Sequence, residues 1–208
     1  MDKLIGAIRA IYADGIEQQH ESAEHLDTLC SAIDQLDGEQ SVASQSFPVV
    51  DRYLRGALAI ASDRYANALA RALEPISHRL SWQQPDYGDA PEFQILKTNY
   101  AYALIAGPEQ WGLSNFHCAD VFFGVSLQAP HTLYAGHAHK APEIYYVVSG
   151  NSQWKRGDED WQDRSSGSLI FHDQHVGHAM QSFDEPLLSL FAWTSDLDSE
   201  IAGVNTHD

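Results

Sequence analysis

Three residues in one short stretch have the types and spacing to hold a metal ion. They are His137, His139 and Glu143, within Tyr134-Ala-Gly-His-Ala-His-Lys-Ala-Pro-Glu-Ile-Tyr-Tyr-Val-Val-Ser-Gly150. Side chains along a strand alternate between faces, so His137 and His139 point the same way. Glu143 opens the next strand and shares its face with Tyr145 and Val147. Two imidazoles and a carboxylate on one side of a sheet suit one divalent ion, with Zn, Fe(II), Mn, Ni and Co all compatible.

The stretch reads H-x-H-x3-E-x6-G, which resembles the first motif of the cupin superfamily. That resemblance implies a mainly β fold, a double-stranded, jelly-roll-like barrel with a metal in its lumen. It also implies a second motif about one hairpin later, ending in a histidine ligand. Gly167-Ser-Leu-Ile-Phe-His-Asp-Gln-His-Val-Gly-His178 stands there. His178 is at the ligand position, with His172 and His175 as nearby rivals. Asp173, His175 and Ser182 depart from the proline, glycine and asparagine usual in that motif. Strand parity turns Tyr145 into such a lumen and Tyr146 out of it. A free tyrosine has a pKa of about 10. A cation in contact favours the phenolate, which makes Tyr145 a candidate general base for a carbon acid.

The wider pattern, Tyr134-x2-His137-x-His139-x3-Glu143-x-Tyr145 with His178 and Trp193 downstream, is similar to the cupin-type dimethylsulfoniopropionate (DMSP) lyases of marine bacteria. The similarity runs over roughly residues 120–195. It implies that His137, His139, Glu143 and His178 hold the metal. Tyr145 would take the proton α to the substrate carboxylate, and dimethyl sulfide would leave to give acrylate. Tyr134 and Trp193 would line the pocket for DMSP. An aromatic wall suits a sulfonium, a fixed cation without hydrogen-bond donors. Two other readings use the same barrel: an Fe(II) dioxygenase, which would consume oxygen, and a non-catalytic small-molecule-binding domain. His20, His25, His78, His117 and His207 carry no ligand spacing, and His131 precedes the first motif without joining it.

The rest of the chain must position these groups. Its 208 residues suit a barrel with an added helical part. Lys and Arg number 12 against 29 Asp and Glu, a net charge of −17. Such acidity repels phosphate backbones and anionic lipid, so neither nucleic acid nor a membrane surface is an expected partner. Cys30 and Cys118 lack metal-type spacing and do not make a disulfide framework, which favours a reducing, cytoplasmic setting. The N-terminal stretch has no signal-peptide pattern, and no apolar run is long enough to span a bilayer.

Residues 1–95 read as a helical N-terminal part and 96–208 as the barrel. Helical spacing runs over residues 3–36, with Gly15 a candidate break. A second long helix is expected from Pro48 to Pro75, with Leu54, Leu58, Ala61, Tyr65, Leu69 and Leu73 as one stripe. Strands are expected at 100–105, 121–127, 144–148, 152–155, 168–171, 179–183 and 187–193. Edge strands and apolar helix stripes point to a homodimer.

Overall fold

The apolar periodicity of the first 73 residues becomes four helices: α1 (Asp2–Glu17), α2 (Ala23–Asp34), α3 (Pro48–Ala59) and α4 (Arg64–Leu73). A computed structural model describes residues 1–203, so His207 lies outside the described residues.

Two helix boundaries differ from the sequence expectation. The first break falls at residues 18–22, and Gly15 lies inside α1. A Cβ on Gly15 would meet Leu26 Cδ1 at 2.6 Å and Leu169 Cδ2 at 2.9 Å, so this glycine permits close packing rather than ending the helix. The helix begun by Pro48 is also interrupted, at residues 60–63. There the Asp63 carboxylate accepts hydrogen bonds from the backbone N–H groups of Tyr65, at 2.8 Å, and Ala66, at 3.2 Å, and starts α4 anew. Of the expected stripe, Leu54, Leu58, Ala61, Leu69 and Leu73 are buried and Tyr65 is half-buried. A 3₁₀ turn, Glu74–Arg79, follows α4.

Twelve strands then form among the described residues: β1 (Trp82–Gln83), β2 (Tyr100–Gly107), β3 (Phe116–His117), β4 (Phe122–Gln128), β5 (Leu133–Ala138), β6 (Glu143–Ser149), β7 (Ser152–Arg156), β8 (Gln162–Arg164), β9 (Leu169–His172), β10 (His178–Ser182), β11 (Leu187–Trp193) and β12 (Ala202–Gly203). A short helix, α5 (Leu96–Asn99), leads into β2. The seven expected strands are present. The two- and three-residue strands β1, β3, β8 and β12 are too short to show an alternation.

The strands make two sheets. One runs β1-β2-β4-β11-β6-β9 with β3 beside β2, and the other runs β12-β5-β10-β7-β8. All pairings are antiparallel except β2 with β3. Gly150 turns the chain from β6 to β7 with φ +90°, and a Cβ there would sit 2.4 Å from the Pro186 carbonyl oxygen. Only glycine fits that turn without strain.

Period-2 alternation along β6 and β11 sorts residues between two cores. Ile144, Tyr146 and Val148, with Leu188, Leu190 and Ala192, pack with the helices. Tyr145 and Val147, with Leu187, Phe191 and Trp193, pack in the barrel lumen. The larger sheet is therefore covered on both faces, and its central strands read as nearly continuous apolar runs.

Candidate metal centre and active site

Strands of both sheets bring the ligand candidates together. His137 on β5 pairs across the sheet with His178 on β10. Glu143 opens β6, where it faces Trp193 on β11 and His172 on β9. His139 lies one residue past the end of β5. The ligand atoms of His137, His139, Glu143 and His178 all lie within 4.8 Å of one another, and all four residues are buried.

The hydrogen bonds orient these rings for a cation. Nδ1 of His137 lies 3.0 Å from the Ala135 carbonyl oxygen. Nδ1 of His139 is 2.8 Å from that of Ala141, and Nδ1 of His178 is 2.9 Å from that of Val176. A neutral imidazole has one N–H, and these carbonyls claim it at Nδ1, leaving a lone pair on each Nε2. Yet Nε2 of His139 and of His178 approach the same Glu143 oxygen at 3.0 and 3.2 Å. Lone pairs facing a carboxylate oxygen need either extra protons or a shared cation between them. At His137 burial disfavours a second proton, holding its pKa well below the usual imidazole value, with His178 adding to the effect. The donor set therefore fits one divalent ion, with mixed nitrogen and oxygen ligation.

Glu143 and His139 shift one another in opposite directions. Burial would raise the Glu143 pKa, but hydrogen bonds to His139 and His178 outweigh it and hold the carboxyl well below its ordinary range. Burial would lower His139, but its bond to Glu143 and the charge there raise it.

Tyr145 lines the same pocket as Glu143, and Tyr146 points the other way, its hydroxyl 2.7 Å from Asp63. Burial, followed by the Glu143 charge, pushes the Tyr145 phenol well above the usual tyrosine pKa. Tyr134 stacks on His137, with ring centroids 4.4 Å apart, and its hydroxyl bonds that of Tyr87. Trp193 lies 4.3 Å from the His139 ring and 4.8 Å from that of Phe122. Its buried Nε1–H has no partner among the described residues.

The pocket in front of this cluster has a volume of about 330 Å³. Sequence reading missed several of its aromatic residues: Tyr87, Tyr100, Tyr102, Trp111 and Phe122. Tyr100 and Tyr102 were findable, because they alternate with Ala101 and Ala103 along β2. Tyr87 comes from an irregular loop and carried no such signal. His175, the rival for His178, is exposed on a turn with φ +61°. His131 is also exposed, 3.4 Å from Asp184. His172 is buried, its ring stacked on that of His178 at 4.1 Å. Cys30 and Cys118 are both free.

A family model described as dimethylsulfoniopropionate lyase matches residues 20–189. The chain belongs to the dimethylsulfoniopropionate lyase family. Over 147 residues it is 31% identical to a putative dimethylsulfoniopropionate lyase, DddL, of Cereibacter sphaeroides, a match covering 70% of this chain and 59% of that protein. It is 29% identical over 66 residues to the dimethylsulfoniopropionate lyase DddQ of Ruegeria pomeroyi, covering 32% of this chain and 33% of the relative. The chain thus spans less than two thirds of the length of either relative. The crystal structure of DddQ from Ruegeria pomeroyi superposes with a TM-score of 0.71 at 18% identity, covering 98% of both chains. A chain from the crystal structures of the DMSP lyases RdDddP and RnDddQII gives 0.70 at 20% identity, covering 97% of this chain and 100% of that one. Those two chains therefore share the helix-covered barrel fold of the present chain.

Proposed function

We propose that this protein is a carbon–sulfur lyase that splits DMSP into dimethyl sulfide and acrylate. The observation that carries the reading is the buried His137, His139, Glu143 and His178 cluster with the Tyr145 phenol and an aromatic wall in one pocket. Membership of the family supports the substrate.

A bound divalent ion supplies Lewis-acid polarisation of the substrate carboxylate and lowers the pKa of a neighbouring phenol. Tyr145 is the base. As phenolate it takes the proton from the carbon α to the carboxylate. The freed electron pair forms the carbon–carbon double bond, and the carbon–sulfur bond breaks with its pair on sulfur. A neutral sulfide leaves, so no acid is needed on that side. Acrylate remains, and the proton on Tyr145 is returned to solvent.

Trp193, Phe122 and Tyr134 offer aromatic faces to the sulfonium, each such contact being worth about 0.5–2 kcal/mol. Asp86 at the pocket wall adds a negative charge that attracts the same cation. The unpartnered Trp193 N–H remains available to orient the carboxylate.

The test is headspace analysis for dimethyl sulfide after incubating metal-loaded protein with DMSP without oxygen. Release in step with acrylate formation is expected, because β-elimination needs no oxidant. Turnover only in the presence of oxygen would favour a dioxygenase, and no turnover under either condition would favour a binding domain.

A further inference from the structure

A second cavity lies behind the metal cluster, at the seam of the barrel. There β9 is the last strand of one sheet and β8 the last of the other. The cavity has a volume of about 150 Å³, and residues from β7, β8 and β9 line it. His20 and Glu21, in the turn between α1 and α2, form another wall.

Its charge is unlike that of the rest of the molecule. The chain has a net charge of −17 and only 12 Lys and Arg residues, yet Lys155, Arg156 and Arg164 all line this one cavity. Glu21 and Glu159 are the acidic residues in its wall, and both are engaged by Arg156, at 2.7 and 3.1 Å.

Two buried groups there have hydrogen-bonding capacity without a partner. His172 is 1% exposed, and neither ring nitrogen has a partner among the described residues. Nε of Arg164 is buried and likewise unpartnered. Buried donors are normally satisfied, and an orphaned guanidinium N–H is costly because its charge heightens its need for an acceptor.

We infer that this cavity is a binding site for a small oxyanion, held by the Arg164 guanidinium and the His172 ring. An oxyanion supplies the acceptors that both groups lack. Arginine suits this work, because its planar fork matches carboxylate and sulfate oxygens. Two sources have this chemistry: acrylate made in the same barrel, and an inorganic oxyanion from solution. The site itself does not depend on the lyase reading. An occupant would sit one ring behind a member of the metal cluster, since His172 stacks on His178 with an interplanar angle of 8°.

The experiment is titration calorimetry with sodium acrylate and, separately, sodium sulfate. It uses metal-loaded wild type, wild type dialysed free of metal, Arg164→Gln and His172→Phe, each checked for a cooperative melt. At least one anion is expected to bind the loaded and metal-free proteins at one equivalent. Metal-free binding separates this site from carboxylate ligation in front. Arg164→Gln or His172→Phe should weaken that binding at least tenfold. Acrylate preference would assign the product as the occupant, and sulfate preference an ambient anion. No binding of either anion to metal-free protein would overturn the inference. So would wild-type affinity in whichever of the two variants folds.

Discussion

The Tyr146 hydroxyl donates a 2.7 Å hydrogen bond to Oδ1 of Asp63, the same oxygen that accepts from the first N–H groups of α4. One carboxylate thus caps a helix and ties it to β6, the strand that carries Glu143 and Tyr145. Asp63→Ala should cost about 1–2 kcal/mol, the upper range for a lost cap. Burial would raise the Asp63 pKa, but the Tyr146 bond and the backbone N–H bonds outweigh it and lower it. A depressed carboxyl stabilises the fold above its unfolded pKa of about 3.9 and ceases to as pH falls through the folded value. Urea unfolding of wild type and Asp63→Ala should show a constant gap from neutral pH to about pH 5, narrowing below about pH 4.

The histidine arrangement makes the metal part of the folded state. With free ion at a hundred times its dissociation constant, linkage gives about 2.7 kcal/mol, or roughly 5–10 °C in Tm for a chain of this size. Chelation should remove that increment. His139→Ala should carry no stoichiometric metal by elemental analysis and show no response of Tm to added ion. Full metal content with wild-type turnover in that variant would exclude the ligand set.

Tyr145→Phe tests the proposed base independently of the metal site. The ring that packs 4.7 Å from Trp154 is kept, and only the hydroxyl is lost. Metal content should be unchanged, while kcat for dimethyl sulfide release should fall by about 10²–10⁴. Turnover at the wild-type rate would remove Tyr145 from the mechanism.

Trp193→Leu probes the aromatic wall. Losing a cation–π contact of about 0.5–2 kcal/mol should raise KM for DMSP roughly 2- to 30-fold. The neutral-tailed isostere 4-methylpentanoate has the same shape without the positive charge. Its inhibition constant should change little if the contact is electrostatic. Equal losses for both compounds would mean that Trp193 serves shape alone. Metal content is the control, because this ring also packs on His139.

Gly150→Ala should destabilise the protein by more than about 1 kcal/mol, through a left-handed backbone and a direct approach to the Pro186 carbonyl. Thermal melts should show it, with the metal stoichiometry of the folded fraction intact.

The strands and the cluster of four candidate ligands were legible because alternation is a local rule. Glu143, Tyr145 and Val147 declare their shared face within five residues. Helix interruptions were less legible. The break before α4 depends on an Asp63 side chain whose third partner, Tyr146, is 83 residues away. Gly15 reads as a helix breaker until Leu26 and Leu169 are seen against it. Tyr87 reaches the pocket from a loop, where no periodicity marks which side chains turn inward. His172 was ambiguous in sequence, since burial without a partner is a property of the surroundings.

A strand buried on both faces leaves natural variation little room. Along β6, Glu143 and Tyr145 line the pocket and Val147 packs in the lumen, while Ile144, Tyr146 and Val148 pack with the helices that cover the sheet. The rim is under no such double constraint: Pro85, Asp86, Tyr87, Leu197, Ser199 and Ile201 line the pocket without belonging to either sheet. Such a layout lets the reactive centre stay fixed while the entrance drifts.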